Sequence, residues 1–288
     1  MTHSAAPHLP SLPASARRRD LLALATLGLL GASGAPLAWA QDDRQRTLKI
    51  ALATSISNQA AEVAAELARA EGLKVELIEF NDWNTPNSAV AQGEVDANLF
   101  QHIPYLEFTN EKTGFDLVPV APAFSTPFGL YSKKFQRLQD LPDNARIAFS
   151  GDVVNTGRSL LLLQKAGLLT LKPGADHRAT QEDVTAFHKP LRIVSLDGPQ
   201  IARSLDDVDA AATYPTFIKI AGLDPSKGLI FENDPLYAFQ FVTRADRRDD
   251  ARLQRFIAIY QNAPAVKAKL RELYGDLVSF PYAQTATK

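Results

Sequence analysis

Between residues 47 and 100, short apolar runs alternate with segments of helical periodicity. The run TLKIALA (47–53) predicts a buried strand, and NQAAEVAAELARAEG (58–72) predicts a helix that ends at Gly72. LKVELIEF (73–80) alternates as a second strand does, and a helix from about Pro86 and a strand that ends at Phe100 follow it. Strands that alternate with helices predict an α/β fold with mostly parallel sheets flanked by helices.

The alternation continues towards the C-terminus, without repeats or low-complexity tracts. Further strands are predicted at DLVPVAPAF, PFGLYSKKF, RIAFS, LRIVSL, VDAAATY and YAFQFVTR. Further helices are predicted at NTGRSLLLLQKAG, at PQIARSLDD, near residues 214–221 and from residue 249 to about residue 274.

Residues 1–40 have the features of a cleaved export signal, and we set them apart from the fold. Three arginines (17–19) precede an apolar run (21–30), and Ala-Trp-Ala (38–40) is a cleavage signal of the A-x-A type. The arginines also fit a twin-arginine signal of bacterial export, and the alternative is a Sec signal that happens to contain them. A membrane anchor is disfavoured, because the apolar run is well short of the roughly 20 residues that a spanning helix needs.

The chain that remains after cleavage, residues 41–288, has 248 residues. This is near the size at which a single hydrophobic core stops growing, so two lobes with a cleft between them are expected. Removal of residues 1–40 takes away three arginines and one aspartate, which changes the formal charge from −1 to −3. Such a chain is not expected to bind nucleic acid.

The sequence contains no cysteine, which excludes disulfides, a thiolate nucleophile and a lipobox cysteine as a lipid anchor. We therefore expect an exported, soluble, periplasmic protein. The histidines after residue 40 are His102, His177 and His188, and no two of them have the spacing that places two ligands on one helix face. We expect no metal site and no other cofactor, and we interpret His177 and His188 as solvated histidines of a polar loop, residues 172–190.

The segment SGDVVNTGRSLLLLQKAG (150–167) predicts a helix that follows a strand. Asn155 is predicted to cap this helix, which places Arg158 in the first turn. A cation there opposes the helix dipole unless an anion lies at the same end. The free N–H groups and the guanidinium could then hold one carboxylate together. The alternative is a surface arginine whose aliphatic part packs on the protein.

Aromatic side chains and a histidine gather at a second predicted strand-to-helix turn. Phe100, His102 and Tyr105 fall at the carboxyl end of a strand, where open α/β sheets bind ligands, and Trp83 follows the preceding strand. Aromatic walls with a few polar groups are typical of small-ligand sites. Core packing is the alternative interpretation of these rings.

Five segments together resemble the NlpA/MetQ family of substrate-binding proteins of methionine ABC importers: EFNDWNTPN, GEVDANLFQHIPYL, GLYSKKF, NTGRSLLLLQKAGL and LDDVDAA. The similarity runs in order over nearly the whole chain after residue 40. It implies the two-lobed periplasmic binding protein fold (type II), in which lobes close about a hinge on a ligand. The implied partners are methionine or a related amino-acid-like carboxylate, an inner-membrane permease and its ATPase. A monomer suits a protein that must open and close.

The resemblance also implies roles for individual residues. Trp83, Phe100, His102 and Tyr105 match an aromatic pocket for the methionine side chain. The polar end of the ligand is matched by Asn155 and Arg158, with Arg158 on the α-carboxylate.

Two positions depart from the family pattern. Tyr214 and Phe239 stand where members of the family have asparagines that hold the polar backbone of methionine. A buried polar group without a partner costs on the order of 1 to 3 kcal/mol, so the ligand is expected to differ from methionine or to bind differently. The segment ATSISNQAAE (53–62) replaces the glycine- and proline-rich segment usual after the first strand, and its Ser55, Ser57, Asn58 and Gln59 offer further polar groups.

The lobes are predicted to divide near residues 128 and 237. One lobe comprises residues 41–127 and 238–288, the other comprises residues 128–237, and the two crossovers form the hinge. Two other functions stay open. A hydrolase lacks support from any nucleophile elbow, P-loop or dinucleotide motif, so the chain is not expected to be an enzyme. The remaining alternative is a periplasmic interaction protein that keeps the fold without a ligand.

Overall fold

The computed structural model describes residues 46–284 of the 288-residue chain. The strands and helices given below belong to the compact unit that begins at Thr47. The predicted export signal, residues 1–40, lies outside the described residues. Among those described, no helix combines the length and the apolar character that crossing a membrane requires.

Twelve strands are described within residues 46–284, and most of them belong to two five-stranded sheets. In chain order the strands are β1 Leu48–Ala53, β2 Val75–Phe80, β3 Ala97–His102, β4 Leu117–Phe124, β5 Phe128–Tyr131, β6 Ala145–Ser150, β7 Leu169–Leu171, β8 Val184–Phe187, β9 Leu191–Leu196, β10 Ala210–Thr213, β11 Ile230–Glu232 and β12 Phe239–Arg244. The first sheet has the order β2-β1-β3-β12-β4, the second has the order β11-β5-β10-β6-β9, and β7 pairs with β8.

Helices of the described region connect the strands and cover the sheets. They are α1 Asn58–Ala70, α2 Thr85–Gln92, α3 Ile103–Thr113, α4 Val153–Lys165, α5 Ile201–Ser204, α6 Pro215–Ile220, α7 Ala251–Asn262 and α8 Pro264–Tyr274. The apolar face of α1 consists of alanines, which let the helix approach the first sheet closely and contribute to its core. Both α2 and α3 begin with a proline at an early position and end at a glycine with positive φ, Gly93 and Gly114, as the sequence pattern favours.

The sheets are mixed rather than mostly parallel, which corrects the prediction. Among the described strands, four neighbouring pairs are parallel, β1–β2, β1–β3, β6–β9 and β6–β10, and the other five are antiparallel. The parallel pairs come from the alternation of strands and helices. The direction of β12 has another origin, because this strand returns from the second sheet and enters between β3 and β4, antiparallel to both.

Each five-stranded sheet has a hydrophobic core of its own. The core of the first sheet combines β1 with the inner faces of α1, α7 and α8, and includes Phe241, Phe256 and Tyr260. A core of the second sheet combines β5, β6 and β10 with α4, and includes Phe128 and Phe149. Trp83 and Phe239 belong to the segments around the first sheet, yet both pack against the core of the second.

A buried amide cluster connects α2 to β3 beneath the carboxyl ends of the strands. Asn87, Asn98 and Gln101 are at most 2 % exposed. The Asn87 Nδ2 donates to Gln101 Oε1 (3.0 Å), and Asn98 Nδ2 donates to Asn87 Oδ1 (2.9 Å). Because these amides satisfy one another, the cluster fixes the position of β3 relative to α2 without an unpaired buried group.

Replacement of Asn87 tests this cluster. Asn87→Ala leaves Gln101 Oε1 without its partner, so we expect the free energy of unfolding to fall by about 1 to 3 kcal/mol in urea denaturation. The control is Asn262→Ala, which removes an exposed amide and is expected to change stability by less than about 0.5 kcal/mol. Equal stability of the two variants would show that the cluster does not fix β3.

Candidate functional site

A cavity with about 660 Å³ of space free of protein atoms, part of it open to solvent, lies between residues of the two five-stranded sheets. It lies at the carboxyl ends of β1 and β3, as expected for a ligand site in an open α/β sheet. The lining side chains are Ala53, Thr54, Ser55, Ser57, Trp83, Leu99, Phe100, Gln101, His102, Tyr105, Phe124, Thr126, Asn155, Tyr214, Thr216, Phe217, Phe239 and Tyr274.

Most of the predicted site residues meet in this cavity. The seven that line it are Trp83, Phe100, His102, Tyr105, Asn155, Tyr214 and Phe239. The eighth, Arg158, does not line it but donates from Nη1 to the hydroxyl of Tyr214, which does. The geometry therefore brings together residues separated by more than a hundred positions, while their role in ligand binding stays a prediction.

Aromatic rings form the apolar walls of the cavity. The centroid of Trp83 lies 6.3 Å from Tyr105, 6.5 Å from Tyr214 and 6.1 Å from Phe217. Phe239 stacks on Phe124 with a centroid distance of 4.8 Å. The edge-to-face and stacked contacts favour defined orientations of these rings.

His102 stands at the turn between β3 and α3, and both of its ring nitrogens have partners. Nδ1 accepts from the backbone N–H of Tyr105 (3.2 Å), so the side chain caps α3. This leaves the proton on Nε2, which donates to the Tyr214 hydroxyl at 3.1 Å. Burial, assisted by the positive charge of Arg158, lowers the pKa of His102 to about 3. His102 is therefore a neutral part of the cavity wall at neutral pH.

The hydroxyl of Tyr214 connects three other polar side chains. It donates to Asn155 Oδ1 (2.8 Å), and it accepts from His102 Nε2 and from Arg158 Nη1 (3.2 Å). Burial raises the pKa of Tyr214 well above its ordinary value, which keeps this hydroxyl protonated. The single proton and both lone pairs of the Tyr214 hydroxyl are therefore used in hydrogen bonds.

Arg158 is almost completely buried, with 2 % exposure, and its charge is paired within the protein. Nε and Nη2 of its guanidinium contact Oε1 of Glu232 at the end of β11. Its Cζ atom lies over the ring of Tyr237, 3.8 Å from the ring centroid. The sequence analysis expected a ligand carboxylate beside Arg158, whereas the anion in the structure is a protein side chain 74 positions further along the chain.

The predicted cap of α4 is wrong by three residues. Asp152, not Asn155, is the N-cap, and its carboxylate accepts from the backbone N–H of Asn155 at 2.8 Å. The helix consequently begins at Val153, and Arg158 lies in the second turn instead of the first. Because Asp152 precedes two valines that can continue the helix, the chain uses the earlier of two suitable capping residues.

A cluster of hydroxyl groups forms a second polar wall. Ser55 hydrogen-bonds to Ser57 (2.7 Å) and to Thr216 (3.0 Å), and Thr216 to Tyr274 (2.6 Å). The sequence analysis anticipated Ser55 and Ser57, whereas Asn58 and Gln59 of the same segment do not line the cavity. The sequence analysis did not identify Thr216 and Tyr274 as site residues. They reach the cavity only because α6 and α8 approach the turn after β1 in the folded chain.

Trp83 makes a close contact with the other side of the cleft. A Cβ atom added to Gly198, which follows β9 of the second sheet, would lie 2.1 Å from the indole ring. Glycine is therefore required at residue 198 for the approach of Trp83. No group of three or more potential metal ligands occurs in the described part of the chain.

Comparison with known proteins identifies a family. Residues 48–280 match the model of the family described as NlpA lipoprotein. The chain is similar to the D-methionine-binding lipoprotein MetQ of Escherichia coli (strain K12), with 39% identity over 260 residues that cover 88% of this chain and 96% of the relative.

Two solved structures have the same fold. A periplasmic substrate-binding protein of an ABC transporter from Coxiella burnetii is 40% identical, with a TM-score of 0.76 and coverage of 80% of this chain and 98% of the other. A nutrient binding protein from Burkholderia cenocepacia bound to methionine is 35% identical, with a TM-score of 0.77 and coverage of 81% and 100%. These likenesses confirm the predicted two-lobed periplasmic binding protein fold.

The low pKa of His102 predicts a pH dependence of stability. As the pH falls below about 6.5, His102 becomes protonated in the unfolded chain, whereas in the native protein it stays neutral until about pH 3. The free energy of unfolding therefore decreases as the pH falls through this range. His102→Asn keeps a side chain that can cap the helix but removes the titratable imidazole. Between pH 7 and pH 5.5, urea denaturation should show a loss about 1 kcal/mol smaller in the variant than in the wild type. An identical loss in both proteins would contradict the assignment.

Proposed function

Because the chain belongs to the NlpA lipoprotein family, we propose that it is the substrate-binding component of an ABC importer. It takes methionine or a related small amino-acid-like carboxylate into the cavity between its lobes and delivers it to an inner-membrane permease with its ATPase. The observation that carries this proposal is the ring-lined cavity, to which both sheets contribute. A thioether side chain fits such walls, since sulfur makes favourable contacts with aromatic rings.

The proposed lobes follow the two sheets. One lobe comprises residues 41–127 and 238–288, and the other comprises residues 128–237. Support comes from the path of the chain, which leaves the first sheet after β4 and returns to it with β12. The two crossovers form the hinge in this proposal.

Direct contacts across the cleft support a closing motion. Lys219 Nζ donates to the carbonyl of Leu273 (2.7 Å), and an ion pair joins Arg178 to Glu111 (2.9 Å). The hydroxyl contact between Ser55 and Thr216 and the contact between Trp83 and Gly198 also join the two sides. Opening of the hinge separates all of these groups, so they stabilise the closed form.

We propose binding rather than catalysis for this site. The histidine of the cavity has both ring nitrogens engaged, by Tyr105 and Tyr214, and is therefore not placed as a general base. We also propose that the protein is exported to the periplasm and acts as a monomer.

One observation favours a second candidate, an interaction protein that keeps the fold without a ligand. The cation that would hold a ligand carboxylate, Arg158, is paired with Glu232. The cavity is nevertheless open between its aromatic walls, and an open cavity is what a ligand needs. We therefore prefer the transport proposal.

Mass spectrometry of the purified, denatured protein tests the transport proposal most directly. We expect a small molecule to be released in a stoichiometric amount, and re-addition of that molecule should raise the melting temperature. Release of no small molecule, together with no stabilisation by any compound of the methionine type, would favour the interaction protein.

Restoring asparagines at the two divergent positions should favour methionine itself. In the double variant Tyr214→Asn, Phe239→Asn, two amides replace rings and can bind the ammonium and carboxylate groups. We expect methionine affinity in calorimetry to rise by about tenfold or more, since each 1.4 kcal/mol corresponds to a factor of about ten. The exposed Phe187→Asn serves as a control and should leave affinity unchanged. No gain in the double variant would place these residues outside the ligand contact.

A further inference from the structure

Four hydroxyl groups from three segments of the chain meet in one cluster on the cavity wall. The residues of this hydroxyl cluster are Ser55, Ser57, Thr216 and Tyr274. Ser55 hydrogen-bonds to Ser57 (2.7 Å) and to Thr216 (3.0 Å), and Thr216 hydrogen-bonds to Tyr274 (2.6 Å). These three hydrogen bonds use three of the four hydroxyl protons, so one proton remains for an acceptor outside the cluster.

Ser57 stands at the start of α1, where a serine hydroxyl usually caps the helix. It is the N-cap residue by position, but its side chain makes no capping hydrogen bond. The hydroxyl bonds instead to that of Ser55, and the residue lines the cavity. Because the hydroxyl is not used for capping, it is available to a molecule in the cavity.

The turn before α1 also has backbone donors without acceptors. The first two N–H groups of α1 donate to carbonyls of this turn. Among the residues that the structure describes, no hydrogen bond uses the N–H of Ser55 or that of Ile56. The first turn of α1 contains no acidic residue that would balance the positive end of the helix dipole. Free N–H groups at such a helix end favour an anion.

A further hydroxyl of the lining is buried and has no partner. Thr126 is 4 % exposed and lines the cavity in the segment between β4 and β5. Within the described part of the chain, no hydrogen bond engages its hydroxyl. Folded proteins rarely leave a buried polar group unpaired, and a ligand in the cavity can supply the missing partner.

Glu79 is hydrogen-bonded to residues on either side of the turn, but both of its oxygens are engaged. Oε1 accepts from Thr54 Oγ1 (3.0 Å), and Oε2 accepts from Asn58 Nδ2 (2.6 Å). The residue is exposed and does not line the cavity, so solvent screens its charge. No aspartate or glutamate of the described chain lines the cavity beside the hydroxyl cluster, so a negative charge is not repelled there at close range.

We infer that the hydroxyl cluster and the turn before α1 receive the carboxylate of the amino-acid-like ligand. The spare hydroxyl proton and the N–H groups of Ser55 and Ile56 donate to the carboxylate oxygens, and the apolar part of the ligand lies against the rings of the cavity. Arg158, in contrast, does not line the cavity and is paired with Glu232. The inference rests on the proposed transport function and names the residues that recognise the polar end of its ligand.

Ser57→Ala tests the inference, because it removes one hydroxyl of the cluster without removing a helix cap. The probes are methionine and N-acetylmethionine, which both carry the carboxylate. Whichever of them the wild-type protein binds more tightly should bind the variant about tenfold or more weakly in calorimetry, since a hydrogen bond to a charged group is lost. Ser57→Thr keeps a hydroxyl and should recover the lost affinity. Ser226→Ala, which removes an exposed hydroxyl, is the matched control and should leave affinity unchanged.

The decarboxylated analogue of methionine separates recognition of the carboxylate from a mere effect on cavity shape. It keeps the amino group and the thioether, so Ser57→Ala should change its affinity by less than about threefold. Tyr274→Phe is an independent variant that removes the hydroxyl at the other end of the cluster and keeps the ring that stacks on Phe124. It should show the same pattern. If the wild-type protein does not bind the analogue, the comparison of alanine with threonine at residue 57 decides.

The outcomes separate the inference from the proposed function. A loss of less than about threefold for the carboxylate probe, in folded Ser57→Ala and Tyr274→Phe proteins, would overturn the inference and leave the transport proposal intact. An equal loss for the decarboxylated analogue, or no recovery in Ser57→Thr, would overturn it as well, because the hydroxyls would then only shape the cavity. Binding of neither methionine nor N-acetylmethionine to the wild-type protein would overturn both.

Discussion

A buried guanidinium requires a negative charge beside it, and in this molecule Glu232 provides that charge to Arg158. The rest of the site follows from this pairing. Since the ion pair is neutral as a whole, the polar wall beside it can be built from Tyr214, Asn155 and His102 without any net charge. The nearby cation also opposes protonation of His102, which keeps that ring neutral as well. One carboxylate on β11 thus balances the charge of the cation beside a cavity that neither of them lines.

Local sequence patterns could predict those elements whose structure depends on neighbours in the chain. Apolar runs and helical periodicity locate β1, α1, β2 and α3, and the rule that ligands bind at the carboxyl ends of strands places Trp83, His102 and Tyr105 together. The family resemblance added Tyr214 and Phe239, which come from other segments of the chain.

Features that depend on distant segments could not be predicted in the same way. The direction of β12 depends on a return from the second sheet, and the partner of Arg158 comes from a strand 74 positions away. The cap of α4 was misplaced for a different reason, since Asp152 and Asn155 are both good capping residues and propensity alone does not choose between them. In each case the deciding contact is a property of the folded chain and leaves no periodic or compositional signal.

The rings of the cavity wall provide one source of binding energy. Burial of apolar ligand area against them contributes about 25 cal/mol for each Å² removed from water. A small molecule that buries about 200 Å² therefore gains about 5 kcal/mol, which is similar to the lower estimates of the cost of immobilising it. Contacts between the two sides of the cavity then become decisive. Ser55 with Thr216 and Trp83 against Gly198 are made between protein groups only, so they hold the two sides together without a contribution from the ligand. A molecule that occupies the cavity must therefore fit the space between the rings without preventing those contacts.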